Sequence, residues 1–145
     1  MVETVRKIQF VLAGADPGDE ATLRTLLEGT PWALVSAAGY ADAARALHQV
    51  SLPIVLADCN LEGRPWQETL RALLRSRRRA CVILLGGAGA PDSQQVVRRG
   101  GFDVLSRPFD KDQVLATLLC AYSTARMHWL SFGRVHASPV SAALS

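Results

Sequence analysis

Asp58 closes the apolar run "LPIVLAD", Arg107 precedes Pro108 in "FDVLSRPF", and Gly14 and Ala15 follow the apolar run that ends at Ala13. A carboxylate at the end of a buried strand can act as a nucleophile, ligate a hard cation or pair with a guanidinium. Gly14 and Ala15 can do none of this, because neither side chain holds a metal or a proton. Asp16 is the first ionisable group after that run, and Glu62 adds a second carboxylate shortly after Asp58. Gly86-Gly87-Ala88-Gly89 follows "CVILL", and such glycines let backbone amides approach an anion. No Lys-Ser follows them and no G-x-G-x-x-G opens a helix after the first strand, so this stretch reads as a flexible turn.

The elements that position these residues are legible from periodicity. The 145 residues, 49% of them hydrophobic, suit one domain with a complete core. Strand-length apolar runs, "KIQFVLA", "WALVSA", "LPIVLAD", "CVILLGG" and "FDVLSRP", alternate with helical patterns. Leu23, Leu26 and Leu27 repeat at helical spacing in the first helix, Ala43, Leu47 and Val50 in the second, and Trp66, Leu70, Leu73 and Leu74 in the third. "APDSQQVVRRG" reads as a short fourth helix and "DKDQVLATLLCAYSTARM" as a long fifth. Five strands alternating with five helices predict an α/β fold, with a parallel sheet covered on both faces. The third and fourth strands are apolar throughout, as strands buried on both faces must be. Ligands in such sheets bind beyond the carboxyl ends of the strands, which is where Gly14, Ala15, Asp16, Asp58, Gly86 and Arg107 fall.

Composition narrows the function classes. A net charge of +3, from 16 Lys+Arg and 13 Asp+Glu, does not require a nucleic-acid partner. "RSRRR" (Arg75 to Arg79) and Arg98-Arg99 read as solvated helix ends without the interleaved aromatics of single-strand binders. Cys59, Cys81 and Cys120 are an odd, widely spaced set that predicts neither a zinc site nor a disulfide framework. No apolar run approaches the ~18 residues of a membrane span, and no signal peptide opens the chain, so a cytoplasmic protein is expected.

Over residues 8–126 the chain resembles the receiver domain of two-component response regulators. "LADCNLEGRPW" matches that family's third-strand stretch, and "LSRPF", preceded by "RRGGFDVL", matches its lysine-proline-phenylalanine corner, where the peptide before proline is often cis. The resemblance implies a flavodoxin-like sheet of order 2-1-3-4-5 and places Asp58 at the phospho-acceptor position. It also implies an acidic pair holding Mg²⁺, and here Gly14 and Ala15 occupy those positions. The family's Ser/Thr after the fourth strand falls on Gly86, its lysine on Arg107 and its aromatic switch residue on Val104, while Glu62 stands where a proline is usual.

The leading expectation is therefore a pseudo-receiver, without cofactor or enzymatic activity, in which Asp58 pairs with Arg107. It would act through a protein partner or a homodimer formed by the fourth helix, fifth strand and fifth helix. The alternative is a working receiver phosphorylated on Asp58 by a histidine kinase. Its Mg²⁺ would be held by Asp58, the Asn60 carbonyl and recruited carboxylates of Asp16, Asp103 or Glu62. A third reading uses the glycine turn to sense a small ligand. The receiver-like domain is expected over 1–130, with 131–145 as a C-terminal extension or linker lacking a folding pattern. Trp129, Leu130 and Phe132 extend the last helix's apolar stripe, and His128 and His136 read as ordinary surface or interface histidines.

Overall fold

The computed structural model describes residues 7–140, with side chains through Met127. The elements alternate as β1 (Ile8–Ala13), α1 (Pro17–Leu26), β2 (Trp32–Ala37), α2 (Tyr40–Leu47), β3 (Ile54–Asp58), α3 (Trp66–Ser76), β4 (Cys81–Gly86), α4 (Ser93–Arg98), β5 (Asp103–Ser106) and α5 (Lys111–Val140). A single 3-10 turn, Leu61–Gly63, lies between β3 and α3. The five strands are all parallel, as expected from the alternation of elements, and their order is β2-β1-β3-β4-β5, as the resemblance implies.

Pleating splits the apolar residues of each strand between two cores. Phe10, Leu12, Leu56, Ile83, Leu85 and Leu105 face one side, where Leu23 of α1 and Val114, Leu118 and Ala121 of α5 cover them. Val11, Ala13, Val55, Ala57, Val82, Leu84 and Val104 face the other, under Ala43 and Leu47 of α2, Leu70 and Leu73 of α3, and Val96 of α4. The helix starts are chemically marked. Asp16 is the N-cap of α1, its carboxylate accepting the Asp19 N–H at 2.8 Å, with Pro17 opening the helix. Asp92 and Gln95 form a capping box at α4.

The last helix differs from its sequence-derived boundary. Periodicity ends it at Met127, whereas the backbone of α5 continues to Val140. The side chains of His128, Trp129, Leu130, Phe132 and His136, and residues 141–145 altogether, lie outside the described residues. No helix of the described residues is long and apolar enough to cross a membrane.

Candidate functional site at the carboxyl ends of the strands

Parallel pairing puts the ends of β1, β3, β4 and β5 side by side, and Asp58 sits level with Leu85 on β4. One Asp58 carboxylate oxygen accepts the backbone N–H of Asn60 at 2.9 Å, and the other accepts from the Arg107 guanidinium at 2.8 Å. Arg107 also donates through Nε to Asp19 at 2.8 Å. It therefore bridges two carboxylates from different elements, Asp58 at the end of β3 and Asp19 in the first turn of α1. The planar fork of arginine allows both bonds at once, which a lysine's point charge would not hold in one geometry. The group is partly shielded, with side-chain exposures of 31% for Arg107, 16% for Asp19 and 21% for Asp58. Its hydrogen bond to Asp19 raises the Arg107 pKa above the usual arginine range, against the opposing effect of burial, and Asp58 adds to the rise.

The backbone fixes where Arg107 points. Its N–H donates to the Gly86 carbonyl at 2.8 Å, which ties the end of β5 to the end of β4. The Arg107–Pro108 peptide is cis, as the resemblance implies, and the guanidinium lies 5.7 Å from the centre of the Phe109 ring.

Asp58 and Arg107 are in contact, as the sequence reading expected of them. The other carboxylates named from sequence are committed elsewhere. Asp16 caps α1. Glu62, at a positive φ of 56°, reaches away from Asp58 and accepts the Tyr40 N–H at 2.7 Å. It thereby caps α2, whose own N-cap residue, Gly39, has no side chain to do so. A β-carbon at Gly39 would stand 2.3 Å from the Glu62 carboxylate, so a larger residue there would push the capping carboxylate aside. Asp103 is excluded from the site by register. It pairs with Ile83, two residues below Leu85, on the far side of β4 from Asp58, and it accepts from the Ser93 hydroxyl of α4 at 2.9 Å.

Asp19 is the site residue that sequence reasoning missed. Its only sequence signal is its place in the first turn of a helix following the first strand, a position that Asp and Glu often take for the helix dipole alone. The spaces beside Gly14 and Gly86 are filled, while those beside Gly87 and Gly89 are open. A β-carbon at Gly14, whose φ is +71°, would lie 2.3 Å from Cδ1 of Leu61, and one at Gly86 would lie 2.3 Å from the β-carbon of Ala90. Val104 is buried in the core on the α2–α4 side. Cys59, next to Asp58, is buried, and burial followed by the Asp58 charge pushes its thiol pKa up, with Arg107 opposing. Among the described residues no group of three or more His, Cys, Asp or Glu is placed to hold a metal ion.

No protein-family profile matches this chain, and no curated protein does. Solved structures do. The signal receiver domain of an HD domain-containing protein from Pseudomonas fluorescens Pf-5 superposes with a TM-score of 0.69 at 20% identity, covering 88% of this chain and 96% of that one. A response regulator receiver domain protein from Clostridium thermocellum gives 0.69 at 17% identity, covering 82% and 97%. NtrX from Brucella abortus gives 0.72 at 17% identity over 85% of this chain, which spans only 28% of NtrX. Identities this low speak for fold and not for function. The chain has the fold of the response-regulator receiver domains, five parallel strands in the order 2-1-3-4-5, with Asp58 at the end of its third strand.

Proposed function

We propose that this chain is a pseudo-receiver, a signalling domain that works by protein-protein interaction and does not use Mg²⁺-dependent phosphorylation of Asp58. One observation carries this reading: the Arg107 guanidinium bridges Asp58 and Asp19, so the carboxylate at the acceptor position is already neutralised by a side chain of the chain itself. Mg²⁺ takes an octahedron of hard oxygen ligands. Here both Asp58 oxygens are engaged, Asp16 and Glu62 cap helices, and Leu61 fills the space beside Gly14. A guanidinium in contact with both carboxylates also repels a second cation. These residues do not fit the metal.

In this reading the Asp19–Arg107–Asp58 bridge holds α1, β3 and β5 in one arrangement where a switching receiver has two. The domain is then a constitutive docking module in the cytoplasm rather than an enzyme. A second copy is the partner we assign to the face of α4, β5 and α5, where Val97 and Leu119 are 55% and 60% exposed. Mass that rises with concentration, and is lost in Leu119→Glu, tests that contact.

The test of the pseudo-receiver reading is intact mass after incubation with Mg²⁺ and acetyl phosphate, with Asp58→Ala as control. We expect no added phosphoryl mass at any donor concentration. One phosphoryl group on the parent and none on the variant would restore the alternative, a receiver that a histidine kinase phosphorylates on Asp58.

A further inference from the structure

The groove between α3 and α4 carries four arginines without an acidic partner. Arg71 and Arg75 are one turn apart on α3, Arg98 ends α4 and Arg99 follows it, and all four are exposed. Among the described residues none of the four makes an ion pair. Glu68, the one acidic residue of α3, pairs with none of them, and Asp92 of α4 is occupied in its capping box. Two contiguous hollows of about 350 Å³ each run along these residues, sharing Gln67 and Arg99. The hollow that holds Arg71 and Arg75 has an apolar floor, formed by Leu70 and Leu74, and the one that holds Arg98 is bounded by Trp66 and Gln95. The turn after α4 passes close to α3 because it is glycine. A β-carbon at Gly100 would lie 3.1 Å from Leu74, and one at Gly101 would lie 3.2 Å from Leu70.

We infer that this groove is a docking site for an acidic, amphipathic helical segment of a partner protein. Guanidinium forks bind carboxylates in two-point geometry, and Arg71 and Arg75 have the spacing of acidic residues four apart on a facing helix. The Leu70–Leu74 floor supplies a place for the apolar side of the same segment. A nucleic acid fits less well. The aromatic residue beside the arginines, Trp66, already carries the Arg99 guanidinium 5.6 Å from its ring centre, so its face is not free to stack on a base. The groove is separate from Asp58 and stands whichever way the phosphorylation assay falls.

The experiment is fluorescence anisotropy with the full chain and a labelled peptide of about 15 residues, carrying glutamates four apart and leucines on the adjoining face. Two comparison probes are the same peptide with Gln for Glu and a single-stranded oligonucleotide of equal charge. The acidic peptide is expected to bind more tightly than both, with an affinity that falls as salt rises. Arg71→Glu/Arg75→Glu, and separately Arg98→Glu, should weaken it about tenfold or more. Arg24→Glu/Arg45→Glu, which changes net charge equally on α1 and α2, should not, and circular dichroism establishes that every variant is folded. Failure of the acidic peptide to bind, equal loss in the Arg24/Arg45 variant, or tighter binding of the oligonucleotide would each overturn the assignment. Self-association abolished by Arg71→Glu/Arg75→Glu would also overturn it, in favour of a second copy.

Discussion

The strand-end site and the α3–α4 groove both gather arginine, yet they use it in opposite ways. At the strand ends one guanidinium satisfies two carboxylates inside the domain, and apolar side chains close the space around it. In the groove four guanidiniums line two adjoining hollows, one of them floored by Leu70 and Leu74, and none of the four has an internal counterion among the described residues. A charge paired within the fold holds a conformation, whereas a charge left unpaired on a shaped surface is free to recognise something else. Arg77 shows the first use again within the basic run itself. It donates to the carbonyls of Leu47 and Val50 at the end of α2, and burial lowers its pKa. A run that looks uniform in sequence is thus divided between structural and surface roles.

The comparison can be broken most forcefully at Gly14. Gly14→Asp, the substitution that would restore an acidic residue there, meets both a positive φ and the Leu61 methyl. It should lower stability by roughly 3 kcal/mol in urea denaturation. Leu61→Ala in the same chain should be less costly than the sum of the single changes; strict additivity would mean that Leu61 does not fill the site. Arg107→Ala should cost about 2 kcal/mol, between an exposed pair and a buried one, since it leaves Asp19 and Asp58 without their shared partner. Arg107→Lys should recover only part of that loss, because an ammonium cannot reproduce the fork.

In the groove the same experiment should give the reverse. Arg71→Glu/Arg75→Glu should change unfolding free energy by less than about 0.5 kcal/mol, since no ion pair is lost. A large destabilisation would show that these arginines are structural after all. The smallest effect is expected at Glu20, beside Asp19 on α1. The Ser36 hydroxyl and then Arg24 hold its carboxyl pKa below the usual value. That stabilisation is present above the unfolded-state pKa of about 4.3 and is lost as pH falls through the lower folded value. Ser36→Ala should move the Glu20 titration midpoint upward by NMR, and an unmoved midpoint would remove the hydroxyl as its cause.

Much of the architecture was legible because buried parallel strands must be apolar and must alternate with amphipathic helices. The runs ending at Ala13, Ala37, Asp58, Gly86 and Ser106 give a parallel sheet and the location of the site, while the strand order came from the resemblance to receiver domains. The Asp58–Arg107 contact was also accessible, because the resemblance puts Asp58 at the acceptor position and Arg107 at the lysine position, both at strand ends.

Sequence by itself thus determined the element types, the sheet and the absence of an acidic pair beside Asp58, because these depend on local periodicity and on residue type. Only the tertiary structure decided which carboxylate joins Arg107. Asp16 and Asp19 are three residues apart, and a helix N-terminus turns the first back to cap the backbone while aiming the second across the strand ends. It likewise decided that Glu62 caps α2, that Leu61 and Ala90 occupy the space beside two glycines, and that arginines from α3 and α4 meet over one groove. Except for Ala90, which lies four residues beyond Gly86, these are contacts between segments far apart in the chain, set by packing geometry that no local pattern encodes.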